Sequence, residues 1–267
     1  MRYCRFETEG GDSIWRLVET LNDVETVTRA IELPLERRRE RTVKRELPTL
    51  DPVPLAEAKL LAPVTPSKIV CVGRNYLEHA RELGNEPPAE PLLFLKPPSS
   101  LNPPGGAIRR PRISERVDFE GELAVVMARS CSYMADDEAV RPYILGYTCL
   151  NDVTARDLQR KDSQWTRGKG FDTFCPVGPV VSNEIDPWAG ITVETRVNGD
   201  LRQQGNTRDF IFPLEVLIRY ISRVMTLEPG DLVATGTPSG VGPVKAGDLV
   251  EVTIDGIGTL ANVVVDE

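Results

Sequence analysis

The segment VDFEGELAVV, Val117 to Val126, places Asp118, Glu120 and Glu122 at alternate positions of a run that otherwise has the composition of a buried strand. Strand side chains alternate between faces, so the three acids share one face with Ala124 and Val126, while Val117, Phe119, Leu123 and Val125 share the other. Carboxylates two positions apart lie about 6.6 Å apart at the backbone and repel by about 2.5 kcal/mol at an effective dielectric near 20. Positive charge must offset that repulsion. Two sources are open: the nearby Arg109, Arg110, Arg112 and Arg116, which would make this a charged edge strand, or a bound cation.

His79 is the only histidine in the sequence and lies in GRNYLEHARELG, Gly73 to Gly84. Asn75 and Glu78 have the spacing of an N-cap and its N3 partner, and Gly84 suits the position after a helix end, so a two-turn helix is predicted. His79 and Glu82 then share a face, where the carboxylate can orient the imidazole and raise its basicity. Taken alone, the same spacing describes a surface ion pair. The proline-rich NEPPAEPLLFLKPPSSLNPPGG that follows reads as a mobile cover over a site.

A further polar set occurs in LNDVTARDLQRKDSQWTRGKGFDTFCP, Leu150 to Pro176. Asp152 precedes a predicted short helix in which Thr154 and Asp157 can form a capping relation, with Arg156 and Gln159 three apart on one face. Lys169 stands between two glycines. Such groups suit a metal-bound dicarboxylate, or more plainly a helix-end charge and a surface ion pair. ATGTPSGVGPV, Ala234 to Val244, lacks the order G-x-x-x-x-G-K-[ST], so a nucleotide P-loop is rejected. Its backbone N–H groups could hold a carboxylate or enolate oxygen, or the segment could be a plain turn cluster.

These residues need a scaffold, and 267 residues suffice for one large domain or one with a small appendage. Alternating segments separated by GGD predict an N-terminal hairpin. The proline-rich LPTLDPVPLAEAKLLAPVTP then marks a boundary, giving a small β-rich unit with its linker over 1–60 and a main domain over 61–267. The apolar KIVCVG opens that domain as a strand. PVGPVVS, ITVETRVNG, DLVATG, DLVEVTID and GTLANVVV read as further strands, and Leu214, Leu217, Ile218 and Ile221 recur at helical spacing.

The net charge of −8 argues against a nucleic-acid binder. The basic ERRRERTVKRE, Glu36 to Glu46, is interleaved with acids and reads as a solvated face or subunit contact. No apolar run approaches the roughly 20 residues of a membrane span, and the first residues lack a signal peptide's apolar segment, so a cytoplasmic protein is expected. Five cysteines without C-x-x-C spacing argue against disulfides and structural zinc, and most are expected to be buried thiols.

In series, GRNYLEHARELG, VDFEGELAVV, NDVTARDLQ, GKGFDTFCPVGP and LEPGDLVATGTPSGVGPV resemble the fumarylacetoacetate hydrolase family, from about Ser67 to Val264. The resemblance implies a mainly β protein with short helices (α+β), a mixed β-sandwich roll behind a small N-terminal β-rich domain, usually a homodimer. It implies Mg²⁺ or Mn²⁺, with Ca²⁺ a possible substitute in crystals, held by Glu120, Glu122 and Asp152, with Asp118 supporting that shell. All-oxygen ligation suits a hard cation. His79 and Glu82 would be the acid/base dyad of a lid helix, with Lys169 also catalytic. Arg74, Tyr76, Arg156, Gln159, Lys169 and Thr237 would contact a small-molecule 2-oxo dicarboxylate. Fumarylacetoacetate hydrolases proper carry a further aspartate ligand seven positions before this histidine, where this chain has Val72. That departure favours smaller members acting as isomerases or decarboxylases, with an acylpyruvate-type C–C hydrolase second. A non-catalytic oxo-acid or metal-binding protein is the rival of another class.

Overall fold

The computed structural model describes residues 1–7, 13–33, 47–82 and 86–267. It opens with β1 (Arg2–Glu7), β2 (Ser13–Leu21) and β3 (Val24–Ile31), then the short β4 (Val53–Pro54) and β5 (Leu60–Leu61). Next come β6 (Ile69–Gly73), α1 (Leu77–Glu82), β7 (Leu92–Lys96), β8 (Leu101–Asn102) and β9 (Ile108–Arg110). The acidic stretch forms β10 (Val117–Phe119) and β11 (Gly121–Met127). β12 (Ile144–Asn151) and β13 (Thr154–Ala155) precede α2 (Arg156–Lys161) and α3 (Thr166–Lys169). β14 (Cys175–Ser182), β15 (Thr192–Val197) and β16 (Asp200–Asn206) lead to α4 (Leu214–Val224). The chain ends with β17 (Leu232–Ala234), β18 (Gly242–Pro243), β19 (Leu249–Ile254) and β20 (Gly258–Asp266).

The expected mainly β architecture with short helices is the one observed. The main sheet runs β4-β3-β2-β1-β14-β12-β11-β17-β6-β7, with β5 on β1 and β8 on β14. Smaller sheets run β13-β10-β18 and β16-β15-β19-β20-β9. β1 and β2 pair as the predicted hairpin, and β1 also pairs with β14 at Arg2–Ser182, so the N-terminal strands continue the main sheet. The GGD turn, the basic Glu36–Glu46 segment and Gly84 lie outside the described residues.

Local pattern explains the central elements. β11 and β14 are buried along their whole length and carry near-continuous apolar sequence, whereas β15 and β19 alternate buried and half-buried positions. Helix α4 buries Leu214, Leu217, Ile218 and Ile221 in one core with Leu123, Val125 and Met127. Ala124 and Val126 face a second core with Cys71, Leu150 and Ala234. All five cysteines are free and buried.

Three expectations need correction. The run Val117–Val126 is not one strand: it breaks at Glu120, and Val117 and Phe119 pack in a third core with Val153 and Phe174. Asn75 does not cap α1, which starts at Leu77. Its amide instead accepts from Phe212 N–H (2.8 Å) and donates to the carbonyls of Phe212 and Thr235, because Asn75 is wholly buried between those segments. The proline-rich stretch after α1 is not a free cover, since its LLFLK forms β7, antiparallel to β6 from Leu92–Gly73 to Lys96–Ile69.

Candidate active site

Strand direction gathers the polar groups. β6 and β17 are parallel neighbours, so their C-terminal ends deliver Gly73–Arg74 and Thr235–Thr237 to one edge of the sheet. β11 runs antiparallel to β17 and β12, so its N-terminal end and the end of β12 reach the same edge, with Gly121 opposite Asn151. One residue further out, Asp152 N–H donates to Glu120 carbonyl oxygen (2.8 Å), which sets the two acids face to face. Asn151 fixes the break by accepting from Glu120 N–H (3.0 Å).

Glu120, Glu122 and Asp152 are buried, and each offers one oxygen within 4.8 Å of the others. They wall a cavity of about 270 Å³, roughly nine waters' worth of liquid. His79 and Lys169 line it too, and Phe94 and Trp165 form an edge-to-face aromatic wall with centroids 5.2 Å apart. Trp165 also explains Gly73, because a Cβ there would meet its ring at 3.1 Å.

Most of the offsetting charge comes from outside the arginine run named in the sequence. Of that set only Arg116 reaches the acids, pairing with Asp118 at 2.8 Å, while Arg110 pairs with Asp266 and Arg112 with Glu267. Lys169 Nζ bonds Glu120 (2.9 Å) and Asp152 (2.6 Å). Arg156 bonds Asp118 through Nε (2.9 Å), Glu120 through Nη2 (2.5 Å) and Gln159 through Nη1 (2.7 Å). Lys96, which sequence reasoning missed, bonds Asp152 at 2.7 Å from a fully buried position.

Burial pushes the Glu120 carboxyl up, but Lys169 and Arg156 outweigh it and hold the group well below the usual carboxylate range. Lys169 is held above its ordinary value: burial opposes the charge, yet Asp152 and Glu120 prevail. Glu122 is the exception. Burial, then Asp152 and Glu120, raise its carboxyl well above the usual value, and its hydrogen-bond donor is Gly236 N–H (2.8 Å) rather than a cation. Three converging oxygens with a charge deficit at Glu122 fit a hard divalent cation.

His79 is 4% exposed, and its Nδ1 faces Glu82 Oε2 at 3.2 Å, which leaves Nε2 as the ring nitrogen without a partner among the described residues, on a residue of the cavity wall. Glu82 is held in turn by Gly240 N–H, 3.1 and 3.2 Å from its two oxygens. Gly240 has φ +101°, and a Cβ there would lie 1.9 Å from Arg202 carbonyl oxygen. Thus the glycine-rich loop uses its N–H groups on the protein's own carboxylates, Glu122 and Glu82.

The other residues singled out in the sequence divide. Arg74, Arg156, Gln159, Lys169 and Thr237 line the cavity, and Thr237 is fixed by donating to Gly121 carbonyl oxygen and accepting from Gln203. Tyr76 is not brought to the cavity wall: it is buried against Phe210, and its hydroxyl has no partner among the described residues. Thr154 and Asp157 do not cap α2. Thr154 donates to Glu120 and to the Asp152 carbonyl oxygen two residues back, and Asp157 accepts from the Ser114 hydroxyl and Glu115 N–H, so both side chains are engaged away from the helix end. Val72 is among the residues lining the cavity, and it packs in the core with Val70 and Leu123.

The chain is 45% identical over 222 residues to oxaloacetate tautomerase YisK of Bacillus subtilis, covering 78% of this chain and 73% of that protein. The crystal structure of 5-carboxymethyl-2-hydroxymuconate delta-isomerase from Mycobacterium smegmatis superposes with a TM-score of 0.86 at 40% identity, covering 100% of both chains. That of 2-hydroxyhepta-2,4-diene-1,7-dioate isomerase from Mycobacterium marinum gives 0.84 at 43% identity, covering 100% of this chain and 99% of the other. Residues 68–265 match the fumarylacetoacetate hydrolase C-terminal model, and the chain belongs to that family.

Proposed function

We propose that this protein moves a proton at C3 of a 2-oxo dicarboxylate, acting as an isomerase (tautomerase) or a decarboxylase. The observation that carries the reading is a single buried histidine, oriented by Glu82, on the wall of the cavity that holds the acid triad. Mg²⁺ or Mn²⁺ bound by Glu120, Glu122 and Asp152 would polarise the 2-oxo oxygen and acidify the C3 hydrogens. His79 Nε2 accepts the proton from one carbon or oxygen of the substrate and returns it to another. Glu82 keeps the proton on Nδ1, and Gly240 N–H keeps Glu82 in place. Lys169 and Gln159 orient the oxo acid, and Phe94 with Trp165 excludes water from its carbon chain.

By their names, the three relatives act on oxaloacetate, a carboxymethyl-hydroxymuconate and 2-hydroxyhepta-2,4-diene-1,7-dioate, each an acid with more than one carboxylate. A C–C hydrolase of acylpyruvate is the second reading, since the same His79–Glu82 pair could activate water. A homodimer belongs to the proposal, supported by the exposed Leu92 and Leu95 on edge strand β7. Turnover of oxaloacetate, 2-hydroxyhepta-2,4-dienedioate and acetylpyruvate, measured side by side with Mg²⁺ or Mn²⁺, tests the assignment. Tautomerisation or decarboxylation of either of the first two supports it; cleavage of acetylpyruvate alone supports the hydrolase.

A further inference from the structure

We propose that Arg160, with Arg74, grips the distal carboxylate of the substrate and makes the site selective for 2-oxo acids that carry a second carboxylate. The proposal rests on the reaction assigned above. Arg160 was not among the residues the sequence singled out.

The cavity's cations fall into two groups. Arg156 and Lys169 are committed to Asp118, Glu120 and Asp152. Arg156 has three of its five N–H groups taken by protein oxygens, and Lys169 two of its three. Arg74 and Arg160 line the same cavity, yet neither forms an ion pair or hydrogen bond with any described residue. They are the unspent positive charge of the site.

Their placement suits an outer subsite. Arg156 and Arg160 are four apart on α2 and therefore share a face, with Arg156 buried and Arg160 exposed one turn further out. Arg74 follows the end of β6 with φ +58°, in the left-handed region that a non-glycine residue seldom occupies. That conformation is held at the cavity wall beside the aromatic pair. A substrate with its oxo-acid end at the triad and His79 thus extends its other end toward two guanidinium groups that lack carboxylates. Guanidinium pairs with carboxylate bidentately, so the match is of shape as well as charge.

The test compares oxaloacetate with 2-oxobutanoate, which lacks the distal carboxylate, by solvent deuterium exchange at C3 in wild type and Arg160→Gln. Wild type should favour oxaloacetate, and the variant should lose about tenfold of that preference through KM, with kcat little changed. Arg160→Lys should recover part of it. An unchanged KM for oxaloacetate, or an equal fall for both substrates, overturns the proposal. A parallel arm uses calorimetric binding of malate and 2-hydroxybutanoate, which cannot enolise. There the wild-type preference for malate should shrink about tenfold in Arg160→Gln, and an undiminished preference refutes the arginine assignment. Should wild type exchange neither substrate, the proposed reaction fails, while the binding arm still decides the role of Arg160.

Discussion

Replacing Lys96 with Met isolates the interaction on which the acid triad leans and which no local pattern announces. Lys96 Nζ donates to Asp152 Oδ1 at 2.7 Å and to Val153 carbonyl oxygen at 3.1 Å. The two paired side chains are 0% and 1% exposed, so water screens neither. Removing one member of a buried pair costs about 3–5 kcal/mol, because the other is left as an uncompensated charge. Met keeps most of the aliphatic stem, and Lys169 still holds the second oxygen of Asp152, so the lower end applies, about 3 kcal/mol. At about 2–4 °C per kcal/mol for a protein of this size, the melting temperature should fall by roughly 6–12 °C. Urea unfolding of wild type and Lys96→Met in EDTA measures the loss directly. A loss below about 1 kcal/mol would refute the reasoning, showing that Lys169 alone suffices for Asp152.

Arg156→Ala strips a partner from both Asp118 and Glu120, so it should destabilise the fold by about 3–5 kcal/mol in urea, beyond any effect on substrate affinity. Glu122→Gln should abolish the Mg²⁺- or Mn²⁺-dependent rise in melting temperature; in wild type that stabilisation is about 2.7 kcal/mol at a hundred times Kd, and calorimetric melting separates the two. Gly240→Ala should cost about 1–3 kcal/mol of stability and lower kcat, because the methyl group meets Arg202 carbonyl oxygen and shifts the N–H that holds Glu82; melting and steady-state kinetics check both.

Where one periodicity decides an element, the sequence was enough to read it. The helical spacing of Leu214, Leu217, Ile218 and Ile221 became the buried face of α4, and the alternation of β15 and β19 matches their burial. The convergence of Glu120, Glu122 and Asp152 was anticipated through five motifs in series rather than through any one of them. What escaped were long-range partners. Lys96 sits in an apolar, proline-rich run, and its counter-ion is 56 residues away. Asn75 has a cap's spacing but is claimed by Phe212 and Thr235, because a fully buried amide must satisfy its polar atoms wherever the fold allows. Glu120 lies where the chain leaves one sheet for another, and only the register of β11 with β12 reveals it. The glycines of ATGTPSGVGPV were visible, but not that their N–H groups serve Glu122 and Glu82.

The most direct test of the account is the stereochemistry of deuterium uptake from D₂O at C3 of oxaloacetate, trapped by reduction to malate and read by NMR. One base fixed beside the acid triad predicts label on a single face of C3 with wild type and Mg²⁺, lost by about a hundredfold or more in His79→Gln. Uptake on both faces alike, or at an undiminished rate in His79→Gln, would contradict it.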